Sequence, residues 1–404
     1  MYLKRHIEKT LKKAEKQSKV VLLTGARQIG KTTTIKKLYN KLQYVTLDDD
    51  NQLFLAKQDR NLFFKDKTFP IIIDEVQYAK ELFKTIKLLA DKSPKKGQIF
   101  ITGSQTYELL SSATESLAGR VSILEMAGLS LREINKIRFN KAFIPNNQYF
   151  EERKKEIKCY PNLWKTIHRG SMPDLLDNKR DWDWFYRDYI KTYLERDVRK
   201  IIALKHELKF KKFLISIAAR AAQVIVYEEI ARDIGVDIKT VQNWLSVVTA
   251  SGIVKLINTY QNNIIKRVIK SPKLFFLDTG LLCHLIGWLS PETAQNGAMA
   301  GHIFENFIVG EILKSFLNEG RSTDNIYYYR DKDKKEIDLI IEEDNVIYPV
   351  EIKKSATIQK DWIKNFSVLS KIKDKTVASG IVLCLSDTML PIDENSWAVP
   401  IEYI

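Results

Sequence analysis

The segment GARQIGKT, residues 25–32, constrains the fold of this chain more than any other stretch. It stands between VVLLT, an apolar run of strand length, and TTIKKLYNKL, where apolar residues return at helical spacing. A backbone that passes from strand to helix over two glycines can wrap its N–H groups around an anion, with the positive end of the helix aimed at the same point. The spacing G-x-x-x-x-G-K-[ST] in that setting predicts a phosphate-binding loop. Gly25, Ala26, Arg27, Gln28, Ile29, Gly30, Lys31, Thr32 and Thr33 are therefore the candidate contacts for a nucleoside triphosphate. Lys31 would neutralise the β and γ oxygens, and Thr32 would ligate magnesium.

Four more apolar runs follow, LQYVTLD, FPIIIDE, QIFITGS and RVSILEM, with room for a helix between successive runs. Strands alternating with helices predict a parallel α/β sheet. FPIIIDE ends on Asp74 and Glu75, the first carboxylate placed for the metal and the second for orienting an attacking water, which points to hydrolysis. QIFITGSQ ends on Thr102, Ser104 and Gln105, small polar residues suited to the γ-phosphate or that water. Arg120 is either a cationic contact to the phosphoryl group or half of a structural salt bridge, and both readings are open.

At 404 residues the chain is too long for one core. Its net charge of +15 favours a polyanionic partner, although a generally lysine-rich surface would give the same total. Cys159, Cys283 and Cys384 lie far apart and show no zinc or disulfide spacing, which suits a reducing cytoplasm. His6, His168, His206, His284 and His302 show no ligand spacing, and His302 alone falls near an acid, Glu305. Neither a signal peptide nor a membrane span is evident, so a soluble cytoplasmic protein is expected.

Beyond about residue 129 the strand pattern stops. Trp182, Phe185, Tyr189 and Tyr193 recur at helical spacing and predict a core-facing stripe. YEEIARDIGVDIKTVQNWLSVVTASGIV then reads as helix, turn at Gly235, and helix. Ile230, Ala231, Val241, Trp244 and Leu245 would pack inward; Lys239, Thr240, Gln242 and Asn243 would face out, the types that reach base edges or phosphates. With a hairpin expected around residues 261–263, the pattern is a winged helix, which serves either DNA contact or protein packing. The predicted organisation is a phosphate-binding sheet domain at 1–130, a helical connector at 131–220, the winged helix at 221–295 and a second α/β unit at 296–404.

That last unit carries EIDLIIEEDNVIYPVEIKKS, two apolar strands with acids in their middles. A two-residue turn at Asp344 and Asn345 makes paired residue numbers sum to 689 and sets Asp338 opposite Glu351. Directly opposed Cβ atoms lie about 4.5–5.5 Å apart, near enough for both carboxylates to share a divalent ion. Lys353 falls on the same face, and Ile337, Leu339, Ile341, Val350 and Ile352 fall on the other. Glu305, on the preceding helix, is a candidate third ligand. Asp338, Glu351 and Lys353 would form a metal-dependent hydrolytic site; the bland reading is a solvated edge hairpin or an inactive fold.

GARQIGKT, IIIDEVQ, ITGSQ, LAGR, SPKLFFLDTGL and YPVEIKKS, in this order, resemble the bacterial and archaeal AAA-like P-loop ATPases with a C-terminal winged helix and a PD-(D/E)xK nuclease-like, restriction-endonuclease-like domain. The resemblance implies ATP and magnesium at Lys31, Thr32, Asp74 and Glu75. It makes KTYLERDVRKI, residues 191–201, the link to the C-terminal half, without assigning Arg196 or Asp197 a role. The expected function is magnesium-dependent ATP hydrolysis coupled to DNA binding, with DNA cleavage at the C-terminal site. The alternative is a nucleotide-switched scaffold with a protein or homo-oligomeric partner and an inactive C-terminal domain.

Overall fold

The computed structural model describes residues 2–104, 107–194, 207–261, 271–372 and 374–404. Strands β1 (Val20–Gly25), β2 (Gln43–Thr46), β3 (Ile71–Asp74), β4 (Ile99–Ser104) and β5 (Val121–Glu125) form one sheet in the order β2-β3-β4-β1-β5, all neighbours parallel. β1, β3 and β4 are buried along their whole length. A parallel sheet is covered on both faces, so its strands read as unbroken apolar runs. Val21, Leu23, Ile72 and Phe100 join the core that holds helices α1 (Ile7–Gln17) and α2 (Lys31–Leu38), while Val20, Leu22, Ile73 and Ile101 pack against the helix Leu82–Lys92.

Short helices follow β5, and the stripe predicted there is buried at Trp182, Phe185 and Tyr189. The Tyr193 side chain, Gln105, Arg196, Asp197, His206, Asn262 and Asn263 lie outside the described residues. The helices Tyr227–Ile234 and Ile238–Ala250 meet across Gly235, whose φ of +67° closes the turn. Strands β6 (Gln223–Val224), β7 (Val254–Ile257) and β8 (Lys273–Phe276) form an antiparallel sheet beside them in the order β6-β8-β7.

In the C-terminal unit, β9 (Ile326–Arg330), β10 (Glu336–Glu343) and β11 (Val346–Ile352) run antiparallel. The sheet continues from β11 through Gly380–Cys384 to Ser396–Pro400 in parallel. The helix Ala300–Glu319 is buried over most of its length between this sheet and the rest of the molecule. Among the described residues no helix is long and apolar enough to cross a membrane.

Candidate functional site

Gly25 ends β1 and Gly30 precedes α2, and both adopt positive φ, +149° and +90°. Between them the loop surrounds a cavity of about 460 Å³ lined by Arg27, Gln28, Lys31, Thr32 and Thr33 on one side and by Glu75 and Ser104 on the other. Lys31 is folded back, its Nζ donating to the carbonyls of Gly25 (3.0 Å) and Ala26 (2.7 Å). Burial lowers its pKa to about 8, with Glu75 and Asp74 opposing that fall. An ammonium so poorly solvated gains from an arriving phosphate.

Parallel pairing sets the acids at the same edge of the sheet. β4 lies between β1 and β3, so the loop and the Asp74–Glu75 step face one another across a single strand. Asp74 is buried and held from three sides: Thr32 Oγ1 donates to its Oδ1 at 3.2 Å, Tyr44 OH donates to its Oδ2 at 2.6 Å, and Thr102 Oγ1 also donates to Oδ1. A hydroxyl and a carboxylate at that separation are the oxygen donors a magnesium–phosphate complex requires, so the residues fit that ion. Glu75 stands beside them at φ +57°, with the Gln77 side-chain amide donating to its Oε2. Burial raises its pKa above the usual carboxylate range.

The second predicted site lies on the β10–β11 hairpin. The hairpin register is Glu343 opposite Val346 through Leu339 opposite Val350, with Asp344 and Asn345 both at positive φ in the turn. Asp338 and Glu351 do meet: Asp338 N donates to Glu351 Oε2 at 3.4 Å, and Ile352 N donates to Asp338 Oδ2 at 2.9 Å. A bulge between Ile337 and Ile340 breaks the expected alternation, and Ile337 packs with Ile340 and Ile347 rather than with Leu339 and Ile341.

Cations already occupy the centre of this cluster. Lys273, from β8, is buried, with Nζ 3.0 Å from Glu305 Oε1, 2.5 Å from Glu336 and 3.9 Å from Asp338. Lys353 Nζ lies 2.6 Å from Glu351 Oε1 and 3.7 Å from Asp338 Oδ2. Burial alone would lower the Lys273 pKa, but the surrounding carboxylates outweigh it and keep the ammonium charged. Burial raises the pKa of Glu305 and of Glu351. Among the described residues no group of three or more His, Cys, Asp or Glu side chains is arranged to hold a metal ion. Glu305, Asp338 and Glu351, the expected metal ligands, are gathered in one cluster, with the ammonium groups of Lys273 and Lys353 against their oxygens. His302 completes no ligand set either; burial pushes its pKa down.

Residues 17–135 match the family model described as an AAA domain, a span that contains the loop, both acids and their strands. This part of the chain is similar to AAA domains. Residues 160–292 and 300–404 match two models described as domains of unknown function, DUF8612 and DUF4143. An uncharacterized protein of Mycobacterium tuberculosis is 28% identical over 396 residues, covering 98% of this chain and 82% of that protein. Another, of Methanocaldococcus jannaschii, is 24% identical over 348 residues, 80% and 72% of the two chains. The Walker-type ATPase PABY2304 of Pyrococcus abyssi superposes with a TM-score of 0.42 at 13% identity, over 69% of this chain and 94% of that one.

Several residues expected at the nucleotide take other roles. Arg120 does not line the cavity of its own chain: it precedes Val121, which pairs with Val20 at the opposite end of β1, five strand steps or roughly 17 Å from Gly25. Its guanidinium binds the carboxylate of Asp91 at 2.5 and 3.1 Å, the salt-bridge reading. Thr102 positions Asp74 rather than a phosphate. Ala26 and Ile29 turn their side chains into the core and offer only backbone.

Sequence reading missed Arg5. It is buried, and its guanidinium donates to the carbonyls of Ile29 (2.9 Å), Ala127 (2.7 Å) and Gly128 (3.1 Å) while Nε reaches Glu133 at 3.1 Å. It thus ties the phosphate loop to the chain leaving β5. No local pattern marks such a residue. Gln77 was within reach of inspection, two places beyond Glu75.

Proposed function

We propose that this protein is a nucleotide-driven switch that hydrolyses ATP in its N-terminal domain and contacts DNA through the helix Ile238–Ala250. The supporting observation is the opposition, across β4, of the Lys31–Thr32 step and the Asp74–Glu75 step around one cavity. Gly25 through Thr33 would cradle the phosphates, and Lys31 would swing from the Gly25 and Ala26 carbonyls to the β and γ oxygens. Glu75, steadied by Gln77, would orient and deprotonate the water attacking the γ-phosphorus. Magnesium between Thr32 and Asp74 would supply charge neutralisation on the phosphates. Glu75→Gln should retain ATP but lose about 10²–10⁴-fold in turnover; undiminished phosphate release would remove Glu75 from this role.

Lys239, Gln242 and Asn243 are exposed on the helix, which supports a nucleic-acid face. Thr240 is withdrawn from that face because its hydroxyl and N–H bind the capping Asp237. The cation-filled cluster at Glu305, Asp338 and Glu351 favours a second reading for the C-terminal unit, an interaction domain that does not cut DNA. Incubation with plasmid and single-stranded DNA in magnesium or manganese, with and without ATP, separates the two. Salt-sensitive binding without cutting is expected, and cleavage lost in Asp338→Ala would restore the nuclease.

A further inference from the structure

The two carboxylate oxygens of Asp74 are held by different parts of the fold. Oδ1 accepts from Thr32 Oγ1 at 3.2 Å, from Glu75 N at 3.2 Å and from Thr102 Oγ1, so it belongs to the phosphate loop and its neighbouring strand. Oδ2 accepts from Tyr44 OH at 2.6 Å, the short separation of a hydroxyl bonded to a charged acceptor. Tyr44 lies on β2, the edge strand, where it pairs with Ile72 while Thr46 pairs with Asp74. Ile72 and Asp74 are two apart on β3 and share a face, so the phenol needs only to span the diagonal to reach the acid.

The ring itself is held by the helix that leaves the phosphate loop. Lys36, one turn beyond Thr32 on α2, places Nζ 4.0 Å from the centroid of the Tyr44 ring. Tyr44 is half-buried and Asp74 is buried, so this hydrogen bond is sheltered from water. A carboxylate tied at one oxygen offers a cation the other alone. Magnesium demands near-ideal octahedral geometry, to which one fixed oxygen is suited; calcium takes about 6–8 oxygens in flexible geometry and accepts a carboxylate through both of its own.

We infer that Tyr44 is a positioning residue that makes Asp74 a one-oxygen ligand, and that it thereby sets the preference of the site for magnesium over calcium. This rests on the reading of Thr32 and Asp74 as the residues that hold magnesium. Removing the hydroxyl frees Oδ2. The carboxylate then loses its fixed orientation, which weakens magnesium, and gains a second free oxygen, which calcium can use.

The test is calorimetric titration of the full chain and of Tyr44→Phe with the β,γ-imido analogue of ATP, whose bridging nitrogen resists hydrolysis, in chelator, in magnesium and in calcium. Thermal melts check folding, and the affinity in chelator checks that the phosphate loop is intact. In the unaltered chain magnesium should tighten the analogue more than calcium does. In Tyr44→Phe the magnesium enhancement should shrink by about tenfold or more, the usual loss when the outer hydrogen-bond partner of a metal-binding carboxylate is removed. The calcium enhancement and the affinity in chelator should both stay within about threefold, because calcium accepts either carboxylate geometry. Equal losses with both ions would make Tyr44 a packing residue, and an unchanged magnesium enhancement would remove it from the site. Either result, or calcium matching magnesium in the unaltered chain, overturns the role of Tyr44 and leaves the magnesium reading standing. If magnesium fails to tighten the analogue in the unaltered chain, that reading falls and the role of Tyr44 with it.

Discussion

At Gly25 the phosphate loop depends on the absence of a side chain. A Cβ there would lie 2.2 Å from the Met126 carbonyl oxygen and 2.7 Å from Ile29 Cδ1, on a backbone at φ +149°. Gly119 also has positive φ, +74°, yet a Cβ would meet nothing within 4 Å. Gly119→Ala should therefore cost only the dihedral strain, about 1–3 kcal/mol, and leave ATP affinity unchanged. Gly25→Ala should displace the strand-to-loop junction and weaken ATP binding by more than tenfold. Calorimetric titration of both variants checks the contrast; equal affinities would mean the loop adapts to a methyl group.

The helix Ala300–Glu319 connects regions that sequence patterns treat separately. Near its start, Glu305 meets Lys273, and the Asn306 side chain pairs with both backbone groups of Phe276 in β8. Further along, Glu311 accepts from Leu131 N at 2.7 Å, and Lys314 donates to Leu129 O at 3.1 Å and to Glu311 at 2.8 Å. Leu129 directly follows Gly128, one of the carbonyls clamped by Arg5 beneath the phosphate loop. Lys314→Met strands the buried Glu311 carboxylate and should destabilise the protein by about 3–5 kcal/mol, whereas replacing both charges with Glu311→Gln and Lys314→Met should recover much of that loss. Denaturant unfolding of the two singles and the double measures the coupling, and strict additivity would mean the pair does not act as a unit.

At the scale of the whole molecule, two histidines withdrawn from solvent contribute a loss of stability in acid. His6 places Nε2 2.8 Å from the Ile137 carbonyl, and His168 places Nε2 3.0 Å from that of Trp288 while stacking on Trp182. Burial lowers the pKa of both below the ordinary 6.5. The unfolded chain thus binds more protons below about pH 6.5, so stability falls as pH falls through that value and is flat above it. Glu133 acts in the same sense at lower pH: burial opposes its ionisation, but Arg5 and His6 hold its pKa below the usual value, and the stability it lends is lost as pH falls below about 4.5. Glu305 and Glu351, whose pKa burial raises, act in the opposite sense over the same range, so the histidine contribution is read by difference: on going from pH 7 to pH 5 the thermal midpoint of His6→Gln should gain relative to that of the unaltered chain. Midpoints that keep a constant difference over that range would show that the His6 ring is not held neutral.

Short-range patterns made the parallel sheet, the phosphate loop, the Asp74–Glu75 step and the β10–β11 register legible in the sequence. In each, the deciding partners are close along the chain: two glycines five apart, or a two-residue turn that sets every pairing after it. Tertiary structure alone decided which charges meet. Lys273 reaches Glu305 across 32 residues and Arg5 reaches Glu133 across 128, while Arg120 is set at the wrong end of its strand to reach its own nucleotide. Coulomb attraction acts through space without regard to chain separation, so a cluster of acids and its counter-ions is specified only when distant elements pack. The hairpin carboxylates and Lys353 were visible from the start, and Lys273, which joins Glu305, Glu336 and Asp338 from another element, was not.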